Sequence, residues 1–584
     1  MASGSSLPPE TTTPKPAIFL QDACFQHRYI RSRDLSAIVE RPERLRAVTI
    51  GLSAAISRLE GSGAVPLEPP KPKPLDPDDL ASQLGRLNIE SDNPLRRSDP
   101  PVSIVQSSAS ADILSHPAVK YVHGDIDGDI YLENLVRWIR ESKEKIDKGQ
   151  SEIPENLSQG DLYLCPESLA AIQGAVGTVC EAVDAVAGSF QPAFTNQMPE
   201  TPAPPVNRAF VAIRPPGHHC GEDTPSGFCF VNNVAIGAAH AHLQHGIDRI
   251  IIFDIDLHHG NGTQSIAWQM NEETYRQTLE SEAGAPSSKR GPQVYYGSIH
   301  DILSYPCEDG KIELVQAAST SIHGSHGQYI KNVHLQEYTS AEHWEKLYAE
   351  QYSEILRKAE EFLHSTGGPG KDVLVFISCG MDASEHEMPS MSRHNRRVPT
   401  SFFYQFARDA CALSDRYAGG KLISVLEGGY SDRALTSGSM AHLLGLVDSA
   451  VEPDWWSPEN LILLEKATKK PKRGGRQSLV QTNLYPWLDR ALAIFSSLDA
   501  SPTHTVKPRA PPPPSSRTLR DRKKPNSAAS SPRGKLTPAA STTEAANAES
   551  SSSEDSPPNA SASAAGKKLP RVILRLGPAP GSQP

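Results

Sequence analysis

Short runs of β-branched and apolar residues alternate along this chain with longer segments of helical period, and four of the runs pass directly into clusters of His, Asp, Glu and Gly. The runs 209–214, 249–255, 294–299, 332–335, 373–378 and 422–426 predict strands. The segments 233–245, 341–364 and 401–417 predict helices, because their apolar positions recur every three or four residues. Strand, helix, strand repetition places the chain in the α/β class, with a central, mostly parallel sheet flanked by helices on both faces. In such sheets ligands gather beyond the carboxyl ends of the strands, where the four clusters fall.

The clusters read Arg214-Pro-Pro-Gly-His-His-Cys220, Asp254-Ile-Asp-Leu-His-His-Gly260, Cys379-Gly-Met-Asp382 and Glu427-Gly-Gly-Tyr430. Residues two apart share a face in an extended segment, so Asp254, Asp256 and His258 are expected to project together, with Asp382 joining from another strand. Two carboxylates and one imidazole from Asp256, Asp382 and His258 leave coordination positions open, as catalytic rather than structural metal sites do. Two aspartates separated by one apolar residue also repel each other unless a cation neutralises them, which weighs against a plain buried salt-bridge network. His218 and His219 follow a Pro-Pro-Gly turn and so belong to a loop, where two imidazoles can divide the work of base and acid. Gly428 and Gly429 let the backbone approach the site, which makes Tyr430 the candidate donor to a developing oxyanion.

Composition bounds the rest. Of 584 residues 50 are Pro and 41 Gly, so part of the chain is expected not to pack. Residues 501–584 hold 15 prolines, long Ser and Ala runs and 13 Lys or Arg against 5 Asp or Glu, which predicts a disordered basic tail. With a net charge of −10 overall and +8 in that tail, residues 1–500 carry −18, which argues against sequence-specific or tight nucleic-acid binding. A disordered segment at 1–15, one domain over 16–500 and a polar Pro-rich excursion at about 69–101 complete the expected organisation. No apolar run approaches the roughly 18 residues of a membrane span, and residues 1–15 show no secretion-signal pattern. Eight scattered cysteines without a C-x-x-C pair predict reduced thiols, no disulfide and no cysteine zinc site. An intracellular protein is therefore expected.

At this point the motifs align with a known family. The runs RPPGHH, SGFCFVNN (226–233), DIDLHHGNGTQ (254–264) and LEGGY (426–430) resemble the zinc-dependent histone deacetylases. HHGNG and EGGY look like the class II branch, and SIHDILSYPCEDG (298–310), HGQYIKNVHL (326–335) and VPTSFF (398–403) are similar to a fungal subgroup of it. The resemblance implies an arginase/deacetylase-like fold and metal-dependent amide hydrolysis: removal of acetyl groups from N6-acetyl-lysine in histones or other proteins. It places Zn2+ on Asp256, His258 and Asp382, and the carbonyl-polarising hydroxyl on Tyr430. His219 becomes the main base and acid, with His218 oriented by Asp254 and His219 by Asn261. A K+ ion is implied at Asp254 and Ser298. Gly227, Phe228 and Tyr305 would wall the channel for the lysine methylenes, and Arg44 would stand near an acetate exit. For the acidic residue of the rim, Asp161 and Asp125 both stay open.

The loop Ser304-Tyr-Pro-Cys-Glu-Asp-Gly310 departs from the family's glycine-bearing form, so the rim shape is this chain's own. Two other readings compete: an acetylpolyamine amidohydrolase and a catalytically silent acetyl-lysine-binding scaffold. The residue after Pro389 is Ser390 rather than an acid, although Glu385 and Glu387 lie close by. The expected partners are an acetylated protein substrate and proteins that bind the tail, with no membrane. Basic runs at 469–473 and 520–524 suggest nuclear import, so the expected location is nucleus or cytoplasm with a chromatin-regulating role. Ser531-Pro532 and Ser556-Pro557 are candidate phosphorylation sites.

Overall fold

In a computed structural model of the chain, the described residues are 14–62, 100–124, 130–188, 205–284, 290–452, 454–469 and 485–500. The tail at 501–584, residues 1–13, most of the excursion at 69–101, Asp125, Ser531, Ser556 and nearly all of both basic runs lie outside them.

The strands are β1 (Lys15–Gln21), β2 (Ser103–Ser107), β3 (Val206–Ala212), β4 (Arg249–Asp254), β5 (Gln293–His300), β6 (Ser321–His323), β7 (Tyr329–His334), β8 (Val373–Cys379) and β9 (Leu422–Leu426). The helices are α1 (Glu43–Ser62), α2 (Pro117–His123), α3 (Ile130–Asp147), α4 (Ser168–Val186), α5 (Asn233–His245), α6 (Asn261–Glu282), α7 (Ile312–Ala317), α8 (Ala341–Leu347), α9 (Glu354–Ser365), α10 (Ser401–Tyr417), α11 (Asp432–Leu446), α12 (Pro458–Thr468) and α13 (Pro486–Leu498). Lys15, the last residue of the segment expected to be disordered, starts β1.

The strands form one sheet in the order β2-β1-β3-β9-β8-β4-β5-β7-β6, parallel throughout except where the short β6 runs antiparallel to β7. The central strands β4, β8 and β9 are buried along their whole length, as a sheet covered on both faces requires. Register shows the two faces. Phe253 of β4 meets Phe406 of α10, ring to ring at 5.6 Å, and pairs with Ile377 of β8. The preceding residue of β8, Phe376, must point the other way, and there a side chain added at Gly237 of α5 would touch its ring at 3.2 Å.

The predicted helices at 233–245 and 401–417 form as expected. The single helix expected over 341–364 is instead α8, a π-helical turn at Tyr348–Tyr352, and α9. The extra residue in that turn brings Trp344, Tyr348 and Tyr352 all into the core, where Tyr348 and Trp344 both pack on Phe402. One helix also departs from the expectation about membrane spans: α4 is long and apolar enough to cross a bilayer. Its Ala, Val and Gly residues are instead buried in the core against the 3-10 turn at Asp22–Gln26, strands β1 and β3 and helix α5. All eight cysteines are free and buried.

Candidate active site

Five adjacent strands, β3, β9, β8, β4 and β5, deliver their carboxyl ends to one place, and the side chains that follow them converge there. β4 stops at Asp254. Beyond it the chain is not extended: the Asp256 amide donates to the Asp254 carboxylate at 3.2 Å, and the His258 amide donates to that of Asp256 at 2.9 Å. These local bonds bend the segment. Asp254 therefore does not share a face with Asp256 and His258, as an extended strand would have required. The His258 Nδ1 lies 3.2 Å from Asp256 Oδ1 and 3.0 Å from Asp382 Oδ2, while Asp254 turns to His218.

Asp256, His258 and Asp382 are buried, with their donor atoms within 4.8 Å of one another, a group able to hold a metal ion. Their outer oxygens are aimed by backbone amides, Gly428 to Asp256 and Leu257 to Asp382, each at 2.8 Å. A Cβ on Gly428 would collide with both carboxylates, and one on Gly380 with Asp256, so glycine is needed where these loops close on the site. Burial opposes charge on His258, yet Asp382 and Asp256 outweigh it and hold its pKa up at about 10. The same two carboxylates favour a cation between them. Burial, reinforced by Asp256, raises the Asp382 carboxyl. Two oxygens and one nitrogen in an acidic, buried pocket fit a divalent metal with open positions.

The two histidines sit side by side, ring centroids 4.0 Å apart, with different partners. His218 Nδ1 is 3.2 Å from Asp254, and despite burial the carboxylates of Asp256 and Asp254 hold its pKa up at about 10. His219 Nδ1 is 2.9 Å from the neutral amide oxygen of Asn261. Burial, then the neighbouring His218 and His258, press His219 well below its ordinary pKa. One histidine is poised as a cation, the other as a free base. Ser298 stands beside Asp254 in the β4–β5 register, and its hydroxyl meets His300 Nδ1 at 2.9 Å.

A cavity of about 140 Å³ leads to these groups, lined by His219, His258, Gly227, Phe228, Tyr305 and Tyr430 among others. Gly227 and Phe228 both have positive φ (48° and 67°), and a Cβ at Gly227 would strike the His219 ring. That backbone path presents Phe228 opposite Tyr430, with ring centroids 5.7 Å apart. Tyr305 stands edge-on to His219 at 4.9 Å and bonds Ser226. Of the two acidic rim candidates, Asp161 lines the cavity.

Tyr430 is buried, and burial followed by the Asp382 charge raises its hydroxyl well above the usual phenol value, so it remains a donor. Arg44, which sequence placed near an acetate exit, is fully buried behind it. Its guanidinium lies 5.1 Å from the Tyr430 ring and donates to the carbonyls of Gly429 (2.6 Å) and Glu427. Glu40 pairs with both Arg44 and Arg214, and all three are shielded from solvent.

Four carboxylates build this site without lining the metal group, a supporting role that sequence reasoning gave to none of them. Glu427 accepts the amides of Gly217 (2.7 Å) and His218 (3.2 Å), tying the loop after β9 to the histidine loop. Glu387 accepts the amides of Tyr430 and Ser431, and Glu385 accepts the amide and hydroxyl of Thr400, so neither faces the cavity as a cation gatekeeper would. Asp301 joins the Leu303–Ser304 wall to His394 and Arg396 on the facing loop. Sequence singled out Glu427 as the head of a strand-end cluster and Glu385 and Glu387 as acids near Pro389, but gave no signal for Asp301.

Residues 109–446 match the family described as Histone deacetylase domain. The chain is 35% identical over 448 residues to Histone deacetylase HOS3 of Saccharomyces cerevisiae, covering 74% of this chain and 56% of that protein. It is 30% identical over 302 residues to Type-2 histone deacetylase 2 of Dictyostelium discoideum, covering 50% of this chain and 15% of that one. A solved structure of the HDA15 HD domain superposes with a TM-score of 0.47 at 19% identity, covering 83% of this chain and 100% of the other. The chain thus spans about half of HOS3 and a smaller share of the Dictyostelium protein. With more than half of its length matched and its strand-end residues gathered at one cavity, the chain belongs to the histone deacetylase domain family.

Proposed function

We propose that the chain hydrolyses N6-acetyl-lysine in a protein substrate, releasing acetate and free lysine, with zinc held by Asp256, His258 and Asp382. The observation that carries this reading is the convergence of that buried donor group with His219 and Tyr430 at the end of one narrow cavity. When bound, the metal supplies Lewis-acid polarisation and brings the pKa of water towards about 7.

The chain's residues do the rest. Phe228 and Tyr305 flank the lysine methylenes and exclude water from them. Tyr430 donates its hydroxyl proton in a hydrogen bond to the oxyanion that develops on the acetyl carbonyl. His219 Nε2 takes the proton of the attacking water as the new C–O bond forms. Its Nδ1 proton stays on the ring, donated in a hydrogen bond to Asn261 Oδ1. As the C–N bond breaks, protonated His219 passes the proton held at Nε2 to the lysine Nζ. His218, held by Asp254, fixes the charge balance beside it. Asp254 and Ser298 offer hard oxygen donors suited to K+, and Arg44 stands where acetate would leave.

Glu385 and Glu387 are committed to the scaffold, which favours a peptide over a polyamine substrate. Nuclear or cytoplasmic action on histones or other proteins is part of the same reading. The test compares an acetyl-lysine histone peptide with N-acetylspermidine before and after chelation. Metal-dependent turnover of the peptide in preference to the polyamine is expected. Activity that survives chelation, or a polyamine preference, overturns the reading.

A further inference from the structure

A second set of metal-ligating side chains lies outside the catalytic cavity, where helices α2, α4 and α5 pack together. His116 caps the start of α2, Cys180 and Asp184 lie one turn apart on α4, and His240 sits within α5, which ends at His245. One donor atom each from His116, Cys180 and His240 fall within 4.8 Å of one another. The rings of His116 and His240 stack at 5.7 Å.

Hydrogen bonding fixes what these groups have to offer. Asp184 Oδ1 takes the Nε2 of His240 at 2.8 Å and that of His245 at 2.7 Å. The His240 proton is therefore on Nε2, which leaves a lone pair on Nδ1. That Nδ1 is buried and has no hydrogen-bond partner among the described residues, and the same is true of His116 Nδ1. Buried polar atoms are almost always satisfied, so two orphaned imidazole nitrogens close to a buried thiol need an occupant. A carboxylate behind an imidazole is also the arrangement that orients a metal-bound histidine.

We propose that His116, Cys180 and His240 form a second metal site, structural in role, that takes zinc. Two imidazoles and a thiolate are a donor set of the borderline softness that zinc favours over the hard cations. Binding releases the Cys180 thiol proton to solvent as the metal–sulfur bond forms. Without metal, burial and then the Asp184 charge keep that thiol protonated. The ion clamps α2 and α4 to α5. The amino end of α5 in turn supports the histidine loop, since a Cβ at Gly217 would press on the Asn233 amide. Sequence spacing concealed the site because its donors come from three separate helices.

The test reconstitutes the full chain with cobalt(II) after metal removal. A thiolate-to-cobalt charge-transfer band distinguishes this site, because Asp256, His258 and Asp382 include no sulfur. Two metal equivalents and that band are expected in the unaltered protein. Cys180→Ser, and separately His116→Gln at its partly exposed cap, should each lose the band and one equivalent. Asp382→Asn should keep the band whether or not the hydrolase reading holds, which separates the two proposals. A single equivalent in the unaltered protein, no band, or a band that survives Cys180→Ser overturns the inference.

Discussion

Asn261 is the residue that divides two neighbouring histidines into different chemical species. Being neutral, its oxygen orients His219 but supports a positive charge too weakly to offset burial and the neighbouring His218 and His258, whereas the Asp254 carboxylate both orients and charges His218. Asn261→Asp would place a carboxylate at Nδ1 and raise the His219 pKa. More of the imidazole would then be protonated at a given pH, so the acid limb of the kcat pH profile should move upward and kcat at neutral pH should fall. Tyr430→Phe removes one oxyanion donor and should lower kcat by about 10²- to 10³-fold, with little change in metal content measured by elemental analysis. The carboxylates and imidazole able to hold a metal, and the paired histidines, were legible in sequence because each sits next to a strand end, where local spacing carries the information. Glu387 was noticed only as an acid near Pro389, its bond to the tyrosine loop was not legible, and Asp301 was not noticed at all. Their partners, Tyr430 and His394, are fixed only by how distant loops meet.

Elements were readable in proportion to their burial and length. β4, β8 and β9 are uninterrupted apolar runs and stood out. β2 and β6 are short sheet-edge strands with exposed residues, and β1 begins directly after a polar, Pro-rich segment, so periodicity gave little contrast. The π-helical turn was hidden because its aromatic spacing fits an ordinary helix. Contact between α1 and α11 depends on Gly51, where a Cβ would collide with the Thr436 carbonyl and the Ser439 hydroxyl. Since α11 starts directly after Tyr430 and Ser431, Gly51→Val should destabilise by about 1–3 kcal/mol in urea titrations. It should also lower activity by displacing the tyrosine loop.

For the molecule as a whole, buried neutral histidines set an acid limit. Burial lowers His442 to about 4, and His123 likewise to about 4, both remote from the metal group. Between about 4 and the ordinary value near 6.5 the unfolded chain binds the proton that the folded chain refuses, so stability falls as pH drops through that window. Each such group contributes on the order of 3 kcal/mol over the whole interval. Unfolding midpoints should fall between pH 6.5 and 4, and His442→Gln, which keeps a polar partner for Ser424, should flatten part of that slope. An unchanged slope would assign the acid sensitivity elsewhere. The same scale shows where the domain really begins. Glu40 neutralises both Arg44 and Arg214 in the interior, and Arg214 also donates to the carbonyls of Cys24 and His27. A truncation retaining only 109–446 would strand the Arg214 guanidinium without its counter-ion, a loss worth about 3–5 kcal/mol. The stretch that the family model matches is therefore smaller than the packed unit, and a fragment cut at its bounds is expected to show a lower unfolding midpoint and lower soluble yield than one that begins before β1.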